Sequence, residues 1–244
     1  MISIDRVYQK VLILANKEQR GYITPQEFNQ LADQAQMDIF EQYFYDINQF
    51  NRAGGNGEQY ADMMDILEEK LSIFEKYNQD LASNAGNTGK LPAECYKLGQ
   101  VIFGTFDSDG VIVAKIKVKD INRILNTPLT APTLERPVYI RANNHASYDI
   151  ELYPTTFASN NRMDDVAVNY VRKPLTPKWT YTIVNEQALY NSSAADHQDF
   201  ELHASEEQEL VFNILELAGI TINKPGIVQL ADKENMQDVQ NEKM

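Results

Sequence analysis

The chain has 244 residues, 43% of them hydrophobic, with 35 acidic against 22 basic side chains and a formal charge of −13. Such a length accommodates one large domain or two modest ones, each with a real core. A single cysteine, Cys95, excludes an internal disulfide framework and a cysteine zinc cluster, and no apolar run approaches the roughly 20 residues of a membrane helix.

The first residues, Met-Ile-Ser-Ile-Asp-Arg, lack the basic and apolar regions of a signal peptide, so a reduced, intracellular, soluble protein away from membranes is expected. The charge is unevenly spread. Residues 1–82 carry 7 basic and 14 acidic groups, residues 83–184 carry 12 and 9, and residues 185–244 carry 3 and 12. Two acidic ends around a mildly basic centre argue against a dedicated nucleic-acid binder. They suit self-association, with solubilising charge as the plain alternative.

Helical spacing dominates the first third. Ser3 is placed to cap a helix from Ile4 to about Asn16, and Gly21 ends that region. Thr24-Pro25-Gln26-Glu27 combines an N-cap, a first-turn proline and a capping-box glutamate. Phe28, Leu31, Ala32, Ala35, Ile39, Tyr43 and Ile47 then carry a helix to about Phe50. Phe40, Phe44 and Tyr45 widen its apolar side, which calls for burial against neighbouring helices or a second subunit. After Gly54-Gly-Asn-Gly57, the spacing of Tyr60, Met64, Leu67, Leu71, Phe74 and Leu81 predicts a third helix over 58–81, with Asn78 as the polar seam position of an antiparallel bundle.

The centre reads as β. Strands are expected over 98–106, 111–118, 137–142, 148–153, 166–172 and 179–184, with Asp107-Ser-Asp-Gly110 as a hairpin turn and a helical turn over 119–126. Val111-Ile-Val-Ala supplies no oxygen ligands, so that turn is not read as a calcium loop. Between the last two strands, Pro174 and Pro177 interrupt any ladder and leave a stiff connector bearing Arg172, Lys173 and Lys178 beside the only tryptophan, Trp179. An exposed connector of that kind suits gripping another protein. Phe200–His203 reads as a short strand, and Ser205-Glu-Glu-Gln208 opens a helix that Gly219 ends, with a last helix from Pro225 to about Asp232 and a polar tail. The expectation is an α+β protein: an N-terminal helical bundle (1–83), a central antiparallel β region (84–204) and C-terminal helices (205–244).

No nucleophile elbow, phosphate loop, dinucleotide fingerprint or zinc-protease motif is present. His145, His197 and His203 are scattered, without close metal-ligand spacing, and Cys95 has no neighbour that marks it as a nucleophile. The sequence therefore points to no catalytic residue, cofactor or metal.

Four segments resemble virion structural proteins of crAss-like and related short-tailed phages. They are Lys17-Glu-Gln-Arg-Gly-Tyr-Ile-Thr-Pro-Gln-Glu-Phe28, Leu91-Pro-Ala-Glu-Cys-Tyr96, Tyr170-Val-Arg-Lys-Pro174 through Lys178-Trp179, and Phe200-Glu-Leu-His203 with Glu206-Glu207 and Leu217-Ala-Gly-Ile220. The resemblance implies a ring or adaptor subunit of the head-to-tail connector, typically a dodecamer that docks on the portal and neighbouring tail proteins. DNA would pass through its lumen without specific binding. Arg172, Lys173 and Trp179, with the acidic C-terminal region, are the expected inter-subunit contacts. The longer β region departs from the smallest adaptors and leaves a neck or tail-tube position open. Two rivals remain: a monomeric host-directed or assembly-scaffolding protein that binds one partner, and a hydrolase using His145 or His203.

Overall fold

Reciprocal hydrogen bonds set the start of the second helix. Thr24 Oγ1 accepts from the Glu27 N–H at 3.3 Å, while the Glu27 carboxylate accepts from the Thr24 N–H at 3.0 Å and its hydroxyl at 2.8 Å. These bonds, the backbone one first, hold the Glu27 carboxyl below its ordinary range. A computed structural model describes residues 1–17, 23–53, 58–83, 86–104, 110–142, 148–155, 165–185 and 187–221. Its helices are α1 (Ile4–Lys17), α2 (Pro25–Ala53), α3 (Glu58–Ser72), a short α4 (Ile121–Asn126) and α5 (Glu207–Thr221). The fold is α+β: N-terminal helices, central sheets and a C-terminal helix. The chain forms two compact units, Met1–Ile73 with Pro174–Met244, and Phe74–Lys173. These units do not follow the cuts read from the sequence at 83/84 and 204/205.

In the first unit α5 packs against α1 and α2, and α3 packs on α2. Phe28, Ile39, Phe40, Phe200, Leu202, Leu210 and Ile214 are fully buried there. The core is thus built by both ends of the chain, not by three N-terminal helices alone. Polar side chains fasten the irregular segments to α2. Gln36 is buried, donates to the Leu175 carbonyl (2.8 Å) and accepts from the Glu201 N–H (3.1 Å), while Glu201 accepts from the Leu175 N–H (2.8 Å). Each otherwise unsatisfied backbone group so met avoids a desolvation cost of roughly 1–3 kcal/mol.

The second unit is a β barrel. Strands β1 (Glu75–Asp80) and β2 (Ala82–Ser83) are one run bent at Leu81, and β5 (Val111–Ile112) and β6 (Ala114–Lys115) are another. The first run pairs with β9 (Val166–Arg172) through β1 and with β3 (Thr88–Lys90) through β2. The second pairs with β4 (Cys95–Phe103) through β5 and with β7 (Val138–Arg141) through β6. With β8 (Ile150–Tyr153) between β3 and β7, and β4 paired to β9, the ladder closes on itself. Among the described strands of this unit only β6 and β7 run parallel; the other pairs are antiparallel. Leu81, Val101, Val113, Ile150, Leu152, Val166 and Val168 fill the interior. Closure removes most exposed strand edges, the usual hazard of a small sheet.

Gly89 of β3 is needed for packing. A Cβ there would lie 2.2 Å from the Cδ2 of Leu81, itself only 3% exposed. Gly89→Ala is expected to cost about 1–3 kcal/mol by overpacking. Urea unfolding checks this, and Gly89→Ala with Leu81→Ala should recover part of the loss relative to the sum of the two single changes.

Several expectations are corrected. The third helix stops at Ser72, and Glu75–Asp80 is strand β1. Phe200 makes one bridge to Ile2 and no strand follows. His203, not Ser205, caps the turn Ala204–Glu206 that leads into α5, and α5 continues past Gly219 to Thr221. The strand expected over 179–184 begins at Tyr181, leaving Trp179 outside it, and it pairs with a further strand, Gln187–Tyr190, that the sequence pattern did not mark. The expected features at Gly21, Gly54–Gly57, Asp107–Asp109, His145 and 225–244 lie outside the described residues.

Candidate interaction surface

Arg172 and Lys173 end the barrel unit, and Trp179 belongs to the helical unit. The Arg172 N–H donates to the Phe74 carbonyl (2.9 Å), and its half-buried guanidinium lies 5.8 Å from the Phe74 ring centre. Strand β9 thereby leaves the barrel beside the point where the chain enters it. The Lys173 N–H donates to the Glu94 carbonyl (2.8 Å) and its side chain is exposed. Lys178 is ion-paired to Asp196 and its backbone bridges Gln198.

Trp179 differs from expectation, because its side chain is not exposed. It is 2% accessible, with its ring centre 4.5 Å from that of Tyr8 and 5.7 Å from those of Tyr181 and Tyr190. Its indole N–H donates to Asp5 Oδ1 at 3.0 Å. Asn29 brackets its backbone, accepting from the N–H (2.8 Å) and donating to the carbonyl (3.2 Å). Alternation placed the residue in a strand, whereas the strand begins two residues later at Tyr181 and residues of α1 and α2 cover the indole. Asp5 and Asn29 were missed because they contact it from 174 and 150 residues away, a separation that leaves no local signal.

The tryptophan anchors a two-stranded ribbon, β10 (Tyr181–Val184) with β11 (Gln187–Tyr190). Tyr181 pairs with Tyr190 at its base, where both rings stack on the indole. At its tip Asn185 has φ 51°, the left-handed conformation that asparagine tolerates in tight hairpins. Side-chain alternation puts Ile183 on the tyrosine face and Val184 and Leu189 on the other. All three are exposed, at 73%, 48% and 49%. Among the described residues neither edge of the ribbon carries a third strand.

The sequence candidates for chemistry have structural surroundings. His203 Nδ1 accepts from the Ser205 N–H (3.3 Å) and sits 2.8 Å from Ser205 Oγ. His197 Nε2 lies 3.3 Å from the Tyr190 hydroxyl. Burial, aided by Asp149 and Glu94 and opposed by Arg141, pushes the Cys95 thiol up. Alkylation of Cys95 should therefore run slower at pH 8 than for a free thiol, with the rate still climbing above pH 9; a rate plateau near neutrality would refute it. Among the described residues no cluster of three His, Cys, Asp or Glu could hold a metal ion, and no helix is long and apolar enough to cross a membrane.

The class so defined is an α+β protein in which a closed barrel is inserted into a helical unit that bears an apolar ribbon. No known protein-family model and no curated protein sequence matches the chain.

Proposed function

We propose that this chain is a non-catalytic structural subunit that assembles with its own copies, as a ring or adaptor of the head-to-tail connector in a short-tailed phage particle. The β10–β11 ribbon carries the reading. A two-stranded ribbon is marginally stable by itself, and this one has apolar side chains on both faces of its outer half. Such an arm gains stability when a neighbouring subunit covers it.

Charge points the same way. Phe74–Lys173 carries 12 basic and 11 acidic groups, whereas the remainder carries 10 basic and 24 acidic. A cyclic ring needs two different complementary surfaces on one subunit, and a nearly neutral barrel joined to a strongly acidic unit supplies the contrast. An acidic lumen would let DNA pass to and from the portal without holding its phosphates. The phage assignment rests on the four sequence segments described above.

Ile183→Asp with Leu189→Asp tests it, since both side chains are exposed and the subunit should stay folded. The expected result is native mass spectra and sedimentation that show assemblies for the parent, alone or with portal protein, and monomers for the variant, with circular dichroism unchanged. A parent chain that stays monomeric in both settings and is missing from purified particles would overturn the proposal and favour the one-partner regulator.

A further inference from the structure

The barrel is closed at one end of its β4 seam and splayed at the other. Strand β4 pairs with β9 along its length but with β5 only at Ile102 and Phe103. The Val113 N–H reaches the Val101 carbonyl (2.9 Å), and there the contact ends. The Ala114 and Ile116 N–H groups donate to Pro137 (3.1 Å) and Tyr139 (2.9 Å), on the β7 side. Alternation therefore turns the Lys115 N–H toward β4, which no longer meets it. On the facing strand Gly99 and Gln100 fall within a bulge, without a ladder partner on β9 or β5, and both are exposed.

Between these two edges lies a slot of about 290 Å³, lined by Leu98–Val101 on one side and by Ile112–Lys115, Tyr139 and Arg141 on the other. Arg141 Nε is buried there without a hydrogen-bond partner, Lys115 is exposed on the rim, and Ile112 is 61% exposed. Backbone edges on both walls, an apolar rim and two cations, one with a buried orphan donor, are what an extended acidic peptide needs.

We infer that this seam accepts an extended, carboxylate-bearing segment of a partner protein as an added strand. Its backbone pairs with Gly99 and Lys115, and its carboxylates meet Arg141 and Lys115. A partner strand would complete the ladder along this open stretch of the seam.

The test uses the whole chain, isotope-labelled, titrated with an eight-residue peptide that alternates threonine and glutamate. Three controls accompany it: the same peptide with lysine for glutamate, one with proline at alternate positions, and single-stranded oligothymidylate. The expected result is amide shifts at Gly99, Gln100 and Lys115 and at least about tenfold slower amide exchange at Gly99 and Lys115, for the glutamate peptide alone. Lys115→Gln and Arg141→Gln, each with an otherwise unchanged spectrum, should each weaken binding about tenfold or more and flatten its salt dependence. Equal binding of the lysine or proline peptide, oligothymidylate shifts as large as the peptide's, or peptide shifts without slowed exchange would each overturn the inference. If the ring reading fails and these amides are still protected, the seam stands by itself.

Discussion

Replacing Lys70 with methionine is expected to destabilise the protein by about 3–5 kcal/mol, among the largest losses any single change should cause. Lys70 closes the last turn of α3, where its charge favours the helix dipole. Its ammonium lies 2.7 Å from Glu206 Oε1, with side chains only 9% and 4% accessible, and 5.7 Å from the Tyr43 ring centre. Glu206 also accepts from the Ser205 hydroxyl at 2.8 Å. Burial by itself would push the Glu206 carboxyl up; the Lys70 hydrogen bond and charge, then hydrogen bonds from Glu209 and Ser205, outweigh it and hold the group below the ordinary glutamate range.

Removing one partner strands the other charge in the interior, which is why the single change is expensive. Removing both need not be: Lys70→Met with Glu206→Leu should recover most of the loss, because apolar pairs often replace buried ion pairs at little cost. Urea unfolding of the two single variants and the double one supplies the coupling energy. The pH dependence has a definite sign. A carboxyl whose folded value lies below its unfolded one stabilises fully above about pH 4.5, and that contribution fades as pH falls through the folded value. The parent should thus lose stability below pH 4.5 more steeply than the double variant. A loss under about 1 kcal/mol in Lys70→Met would show that the pair is solvated and the account wrong.

Trp179→Ala should cost a similar amount, about 3–5 kcal/mol, since it removes the ring on which Tyr8, Tyr181 and Tyr190 pack. The loss has two separable parts. Trp179→Phe keeps an aromatic ring but deletes the indole N–H, leaving Asp5 Oδ1 without that donor, and should cost about 1.5–3 kcal/mol. Asp5→Asn in the Phe background should then change little further. Trp179 is also the only tryptophan, so the parent's fluorescence reports directly on the base of the ribbon. If assembly uses the ribbon, Trp179→Phe should weaken it even where the subunit remains folded, because the arm is then less firmly held. A Trp179→Ala variant with parental stability would mean that the indole is not packed as described.

The two changes probe different kinds of information. Features set within a few residues were legible from the sequence. The Thr24–Glu27 capping box opens α2 as its chemistry demands, because all its bonds span three residues. Strand β9 covers Val166–Arg172, the stretch whose alternation showed it. Lys70 with Glu206, Trp179 with Asp5, and Gln36 with Leu175 and Glu201 were not legible, since nothing near either member of such a pair names the other.

The clearest divergence is at residues 73–81. Phe74 and Leu81 are seven apart and follow Leu67 and Leu71, so the spacing fits a helical seam through Leu81. A regular strand would send residues seven apart to opposite faces, yet both are buried, at 0% and 3%. The barrel resolves this with a bulge: the register with β9 steps by one extra residue between Lys76 and Gln79. Asn78, the supposed seam residue, takes φ 50° there, and its N–H donates to the Asn169 side chain at 2.8 Å. Composition and local pattern by themselves determined the α+β class, the first two helices, the capping box and most of the central strands, because nearest-neighbour sterics and hydrogen bonds act along the chain. Only the tertiary structure decided that this stretch is a strand, that the sheet closes into a barrel and that the tryptophan is buried. Each depends on a partner dozens or more residues away, whose burial outweighs the small differences in local preference.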